Sequence, residues 1–257
     1  MGVCCFRYTK IVNASPNQRK SKLKSSSGYY GTVSKANFKN DASKFYAVKS
    51  ISKSNLSQKS LKNLICEIQI LAKLDHPNIV KYYETYDDEK YFYLVMELCE
   101  GGELFERIVS KKHLEEKVAT EILFKLTHAI SHCHSRGIVH RDIKAENILF
   151  EIKTKSKNDV KIIDFGLAPE VLEGTYDRKC DIWALGVLLY VMLYGKYPFD
   201  DDNKAVLFEK IKTKEPRYDR REVSQEAIEL MRQMLVKDPS KRPEAKEILD
   251  HRGLCCI

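Results

Sequence analysis

A chain of 257 residues with 43% hydrophobic and 31% charged residues can build one large domain or two lobes around a cleft, which excludes disorder throughout. Six of the eight excess positive charges fall in residues 1–24 (Arg7, Lys10, Arg19, Lys20, Lys22, Lys24) with no acid among them, and no nucleic-acid-binding motif accompanies them, so no nucleic-acid partner is expected. The eight cysteines form no CxxC pair and follow no secretory signal, which points to reduced thiols and a cytoplasmic setting rather than a disulfide framework or zinc ribbon.

The basic tail reads either as a solvated, disordered segment or as one drawn to an anionic membrane surface. Met1-Gly2-Val3-Cys4-Cys5 offers a glycine for myristate and two cysteines for palmitate, although Phe6 stands where that pattern takes Ser or Thr. Two acyl chains, or one with basic residues, would anchor the chain stably. Ser25 to Val33 is a small-residue turn entering a β-prone stretch, and Phe45-Tyr46-Ala47-Val48-Lys49 reads as a strand. Leu61, Leu64, Ile65, Ile68 and Leu71 recur at helical spacing up to Asp75-His76-Pro77-Asn78. Tyr91 to Leu98 has the length of a strand and is closed by Gly101-Gly102.

Beyond Glu103 the pattern turns helical, with helices expected over 117–135, 181–194, 203–213, 224–236 and 243–250. Short β-prone pieces fall at 147–151 and 160–163. The uncharged run Ile182 to Tyr194 is thirteen residues long, short of the roughly twenty that span a bilayer, and reads as a buried helix. His132-Cys133-His134 lies in a helical stretch where neighbours point to different faces, so a structural role is expected rather than a metal cluster.

Phosphoryl transfer needs a phosphate cradle, a cation, magnesium ligands and a base for the hydroxyl, and all four appear in order. Gly28-Tyr29-Tyr30-Gly31-Thr32-Val33 matches the end of GxGxxGxV, with Ser26 in the first glycine's place. Lys49 in Ala-Val-Lys is the candidate cation for the ATP phosphates, with Glu67, eighteen residues on, as its ion-pair partner. His140-Arg141-Asp142-Ile143-Lys144-Ala145-Glu146-Asn147 supplies a base in Asp142 and a magnesium ligand in Asn147. Seventeen residues after Asn147, Asp164-Phe165-Gly166 offers the second Mg²⁺ carboxylate.

On these motifs the sequence resembles a eukaryotic protein kinase, most of all the calmodulin- and calcium-dependent group, from about Gly28 to His251. Supporting phrases are Leu74-Asp75-His76-Pro77-Asn78, Val95-Met96-Glu97-Leu98-Cys99-Glu100-Gly101-Gly102-Glu103-Leu104-Phe105 and Cys180-Asp181-Ile182-Trp183. The resemblance implies an α+β bilobal fold: a β-rich N-lobe with one helix over 25–97 and a mainly helical C-lobe over 98–257. It makes Met96 the gatekeeper and Glu97 to Cys99 the adenine hinge, with Gly28, Gly31, Val33, Ala47, Lys49 and Glu103 also on the nucleotide. Leu71, His140 and Phe165 match the regulatory spine, with Asp181 beneath it, and Glu170 and Arg242 a buried ion pair. Lys144 marks Ser/Thr specificity and would sit on the transferring phosphate. Glu103 and Glu146 match positions favouring arginine upstream of the target hydroxyl, so the expected substrates are proteins with basic residues before Ser or Thr. No Asp-rich EF-hand loop occurs, and direct calcium binding is not expected.

The pattern breaks at Asp164-Phe165-Gly166-Leu167-Ala168-Pro169-Glu170, where two motifs that the family separates by a long activation segment abut near 167–168. Six Cα steps from Asp164 to Glu170 reach at most roughly 20 Å. A gene-model error and a truncated protein that transfers phosphate poorly both fit the text. The functional alternative is a pseudokinase, a membrane-tethered nucleotide-binding or scaffolding module.

Overall fold

A computed structural model describes residues 31–38, 41–152, 158–165 and 175–254. The basic tail with Gly2, Cys4 and Cys5, the turn residue Gly28, and the stretch Gly166 to Glu170 lie outside these residues. The chain divides into two units, Met1–Asp75 with Val80–Cys99 and His76–Ile79 with Glu100–Ile257. The division falls after Cys99 rather than Glu97, and His76–Ile79 goes with the second unit. Pairing explains this: the Asn78 side-chain amide donates to the Val160 carbonyl at 2.9 Å, and the Ile162 amide donates to the Asn78 carbonyl at 2.9 Å.

In the first unit, β1 (Thr32–Phe38), β2 (Asp41–Ser52), β3 (Tyr82–Asp87) and β4 (Tyr91–Glu97) form an antiparallel sheet in the order β1-β2-β4-β3. β3 has no counterpart in the sequence reading, because Glu84 and Asp87 blur its alternation. β2 runs longer than Phe45–Lys49 because it pairs β1 on one side and β4 on the other. Among the described residues of this unit the one α-helix, α1 (Gln58–Lys73), starts where the Ser57 hydroxyl accepts from the Ser60 amide at 3.1 Å. Its Leu64 and Ile68 pack on Ile51 and Leu94 of the sheet, while Ile65, one residue off that face, stays exposed.

The second unit holds α2 (Leu104–Lys111), α3 (Glu116–Ser135), a two-stranded ribbon of β5 (Ile148–Phe150) and β6 (Val160–Ile162), α4 (Thr175–Tyr194), α5 (Lys204–Thr213), α6 (Gln225–Met234) and α7 (Ala245–Leu249). α4 begins before the expected 181, since polar residues such as Lys179 are buried in it, with Lys179 bonded to the Arg242 carbonyl at 2.7 Å. Ile182, Leu185, Leu189 and Met192 are fully buried, as expected of a core helix. Among the described residues no helix is long and apolar enough to cross a membrane.

Asp181 on α4 is the buried anchor of this unit, with no exposed surface. Its carboxylate accepts from the His140 amide at 2.9 Å, the Arg141 amide at 2.8 Å and His134 Nε2 at 2.9 Å. The three residues of His132-Cys133-His134 thus have separate structural roles: His134 on Asp181, Cys133 fully buried, and the His132 ring 5.1 Å from His76. Burial, then the nearby His132, His128, Lys161 and Arg136, hold the His76 imidazole down to about 4.

Two outcomes follow from these contacts. Asp181→Leu strands two backbone amides at about 1–3 kcal/mol each, so the unfolding midpoint should fall by roughly 4–24 °C. Asp181→Asn keeps one acceptor and should lose less; a Leu variant melting with the parent would disprove the clamp. His76 has a folded pKa, about 4, below its ordinary 6.5, so the unfolded chain takes the proton first and stability falls as pH drops through that window. Urea midpoints between pH 7 and 5 should therefore fall less steeply in His76→Gln than in the parent, and equal slopes would remove His76 from the acid response.

Candidate active site

Sheet register gathers the first unit's candidate side chains. Val33 pairs with Lys49, Lys49 with Leu94, and Ala47 with Met96. Directly paired residues and residues two apart share a face, so Val33, Ala47, Lys49 and Met96 lie on the face whose Ile51–Leu94 end α1 covers. Lys49 and Glu67 are 8% and 3% exposed, and their Nζ and Oε1 atoms are 3.4 Å apart. A buried ammonium needs such a carboxylate to stay charged. Gly31 has φ +61°, and a Cβ there would lie 2.0 Å from the Ser50 carbonyl oxygen, so only glycine fits. At the β4 end, the Glu97 amide donates to the Lys81 carbonyl at 2.8 Å and its carboxylate accepts from the Lys81 amide at 3.1 Å. Met96 and Cys99 are half-buried, and Leu71 is buried on α1.

In the second unit, Asp142 is held from two sides. Lys144 Nζ donates to its two carboxylate oxygens at 2.9 and 2.8 Å. The Asn147 side-chain amide donates to the Asp142 carbonyl at 2.8 Å and to its carboxylate at 2.9 Å. With both amide hydrogens on Asp142, Asn147 keeps its Oδ1 as a hard oxygen ligand. Asn147 directly precedes β5 and Asp164 follows β6 by one residue; Ile148 pairs with Ile162, and the Ile163 amide donates to the Asn147 carbonyl at 3.0 Å. The ribbon therefore sets Asn147 and Asp164 at one end. An amide oxygen and a carboxylate, completed by phosphate oxygens, are a donor set that suits Mg²⁺.

Arg141 and Asp164 both occupy the left-handed region, at φ 67° and 63°. Non-glycine residues there cost energy that the surroundings must offset, and such residues cluster at functional sites. Next to each in sequence, the His140 and Phe165 rings lie 4.6 Å apart, both fully buried. Burial lowers the His140 pKa, which favours the neutral ring.

Glu103 leads into α2, bridged to Leu149 of β5. Its carboxyl pKa is raised by burial and then by Glu106 and Glu146, so Glu103 feels the charge of Glu146, the other carboxylate expected to favour an arginine upstream of the target hydroxyl. Glu106 escaped the sequence reading, although its place three residues after Glu103 on a helix was a usable signal. Arg242 donates to the carbonyls of Val236 at 2.8 Å, Lys179 at 3.0 Å and Lys237 at 3.2 Å, with its guanidinium 4.8 Å from the centre of the Trp183 ring. Its expected partner Glu170 lies outside the described residues.

The protein kinase domain family matches residues 23–168 and 167–253, two pieces that share Leu167 and Ala168. Calcium-dependent protein kinase 4 of Plasmodium berghei is 39% identical over 233 residues, covering 81% of this chain and 44% of that protein. Calcium-dependent protein kinase 5 of the same organism is 36% identical over 255 residues, covering 90% and 44%. Calcium/calmodulin-dependent protein kinase type 1 of Macrobrachium nipponense is 38% identical over 249 residues, covering 87% and 71%. The chain thus spans less than half the length of the Plasmodium relatives. With nearly the whole sequence matched to one domain family and relatives of this identity, the chain belongs to the eukaryotic protein kinases, among the serine/threonine kinases of the calcium- and calmodulin-dependent type.

Proposed function

We propose that this chain transfers the γ-phosphate of ATP to serine or threonine in basic protein sequences. The observation that carries the reading is the Asp142 carboxylate, held at 2.8–2.9 Å by Lys144 and Asn147. Asp142 is placed to orient an incoming hydroxyl and accept its proton, and Lys144 to balance charge on the phosphoryl group in flight. Bound Mg²⁺ would neutralise phosphate charge, with Asn147 Oδ1 and the Asp164 carboxylate to hold it. Lys49, paired with Glu67, is assigned to the ATP phosphates, and Val33, Ala47, Met96 and the Glu97–Cys99 backbone to the adenine. Gly28 belongs to the same cradle by sequence. Glu103 and Glu146 are assigned to an arginine upstream of the target residue.

The missing stretch between Asp164 and Glu170 bears on rate. The two-piece family match meeting at 167–168 supports the reading that part of the domain is absent there. Groups that polarise ATP survive, whereas the surface holding the target hydroxyl beside Asp142 does not. A membrane-tethered pseudokinase is the reading favoured if that loss is complete.

Mg-ATP at about 100 times its Kd should stabilise the parent by about 2.7 kcal/mol, or roughly 5–10 °C, and Lys49→Met should abolish the shift. A well-folded parent that shows no shift would refute nucleotide binding. Restoring a full activation segment between Leu167 and Ala168 should raise turnover of an Arg-x-x-Ser peptide at least about a hundredfold, since orientation supplies several kcal/mol of such barriers. Asp142→Asn is the dead control, and equal rates with and without the insert would show that the short form already docks its substrate.

A further inference from the structure

The second unit gathers basic side chains where the His76–Ile79 segment meets α3 and β6, and the proposed transfer reaction uses none of them. His128 and His132 stand one turn apart on α3, and Arg136 follows one turn later at the helix end, so the three share a face. The His132 ring lies 5.1 Å from the His76 ring. Lys161 of β6 sits between Val160 and Ile162, the two residues whose backbones bond Asn78, two positions after His76.

Hydrogen bonds inside the cluster fix which atoms can still donate. The Asn78 amide donates to His76 Nδ1 at 3.1 Å, so the neutral ring carries its proton on Nε2. The Arg136 guanidinium, which can only donate, sets Nη1 3.2 Å from His132 Nδ1, 3.3 Å from the His132 carbonyl and 3.2 Å from the Ser135 hydroxyl. All three contacts use Nη1, so among the described residues Nε and Nη2 of Arg136 keep their protons for a ligand. Arg136 and His128 are exposed and His76 is half-buried. Among the described residues none of these three pairs with an acid, and Asp75, next to His76 in sequence, faces Lys81 at 3.5 Å.

The end of α3 accounts for part of this arrangement, because cations are favoured at a helix C-terminus. It does not account for His76 or Lys161, which lie on other segments. After burial, the four basic groups acting on His76 all lower its pKa and no acid offsets them. Donors without a matching acceptor, beside an excess of positive charge, suit an anion with several acceptor oxygens.

We propose that His76, His128 and Arg136, joined by His132, form an oxyanion site that takes a phosphate group, free or in a monoester. The site needs neither the nucleotide nor the stretch missing between Asp164 and Glu170, and it stands whether or not the chain transfers phosphate.

The test titrates the full chain, carrying ¹³C at histidine Cε1, with inorganic phosphate and separately with O-phosphoserine, in chloride buffer at constant ionic strength. The His76, His128 and His132 signals, assigned through His76→Gln, His128→Gln and His132→Gln, should move along one binding curve with a Kd on the order of 1 mM. Those of His113 and His251 should stay still. Phosphate at about ten times its Kd should raise the melting midpoint by about 3–6 °C. Arg136→Gln removes an exposed charge, so it should melt with the parent and weaken phosphate binding at least about tenfold, with Arg136→Lys in between. Lys49→Met, directed at the proposed nucleotide site, should leave phosphate binding unchanged. A response to both probes assigns the site to phosphate groups at large, a response to inorganic phosphate alone assigns it to the free ion, and either supports it. The proposal is overturned by a parent whose three histidine signals do not move, by a curve that Arg136→Gln leaves as it was, or by a response that Lys49→Met abolishes.

Discussion

A carboxylate with no exposed surface, Asp181, carries the geometry of the second unit. Burying an ion is expensive unless donors replace its water, and here two backbone amides and an imidazole do so. Because those amides belong to His140 and Arg141, the same contact that makes the charge tolerable fixes the loop carrying Asp142. Arg141 is held in the left-handed region there, a conformation that a loop free in water would leave. The position of the proposed base is therefore set by a residue on a helix some forty positions further along the chain.

Charge around the base is arranged by proximity rather than by deep burial. Asp142 shares its carboxylate with Lys144 and Asn147, both of which also have proposed roles toward phosphate and metal. Such sharing holds the three side chains within hydrogen-bond distance of one another's partners in the free chain, which lowers the reorganisation that their proposed roles would need. The β5–β6 ribbon adds Asp164 through a register that brings Ile163 against Asn147. In the first unit the ion pair of Lys49 and Glu67 depends likewise on strand register and on the face that α1 buries.

Where the sequence was silent, the cause is the distance along the chain between interacting groups. β3 hides behind Glu84 and Asp87, because an edge strand exposes residues that break its alternation. His76–Ile79 joins the second unit through Asn78 and Ile162, more than eighty residues apart.

The sequence by itself determined the family: the lysine, the His-Arg-Asp octet, the asparagine and the Asp-Phe-Gly aspartate occur in the order of a protein kinase domain, which matches residues 23–168 and 167–253. It also determined the alternation of a β-rich and a helical half, because apolar periodicity is local and legible at each element. The tertiary structure decided which face of the first sheet holds Val33, Ala47, Lys49 and Met96. It decided as well that Asp181 clamps the loop, that the β5–β6 ribbon sets Asn147 and Asp164 at one end, and that the charges of Glu106 and Glu146 reach Glu103. Those outcomes depend on pairings across tens of residues, whose energies arise only once distant segments share a core and exclude water between them.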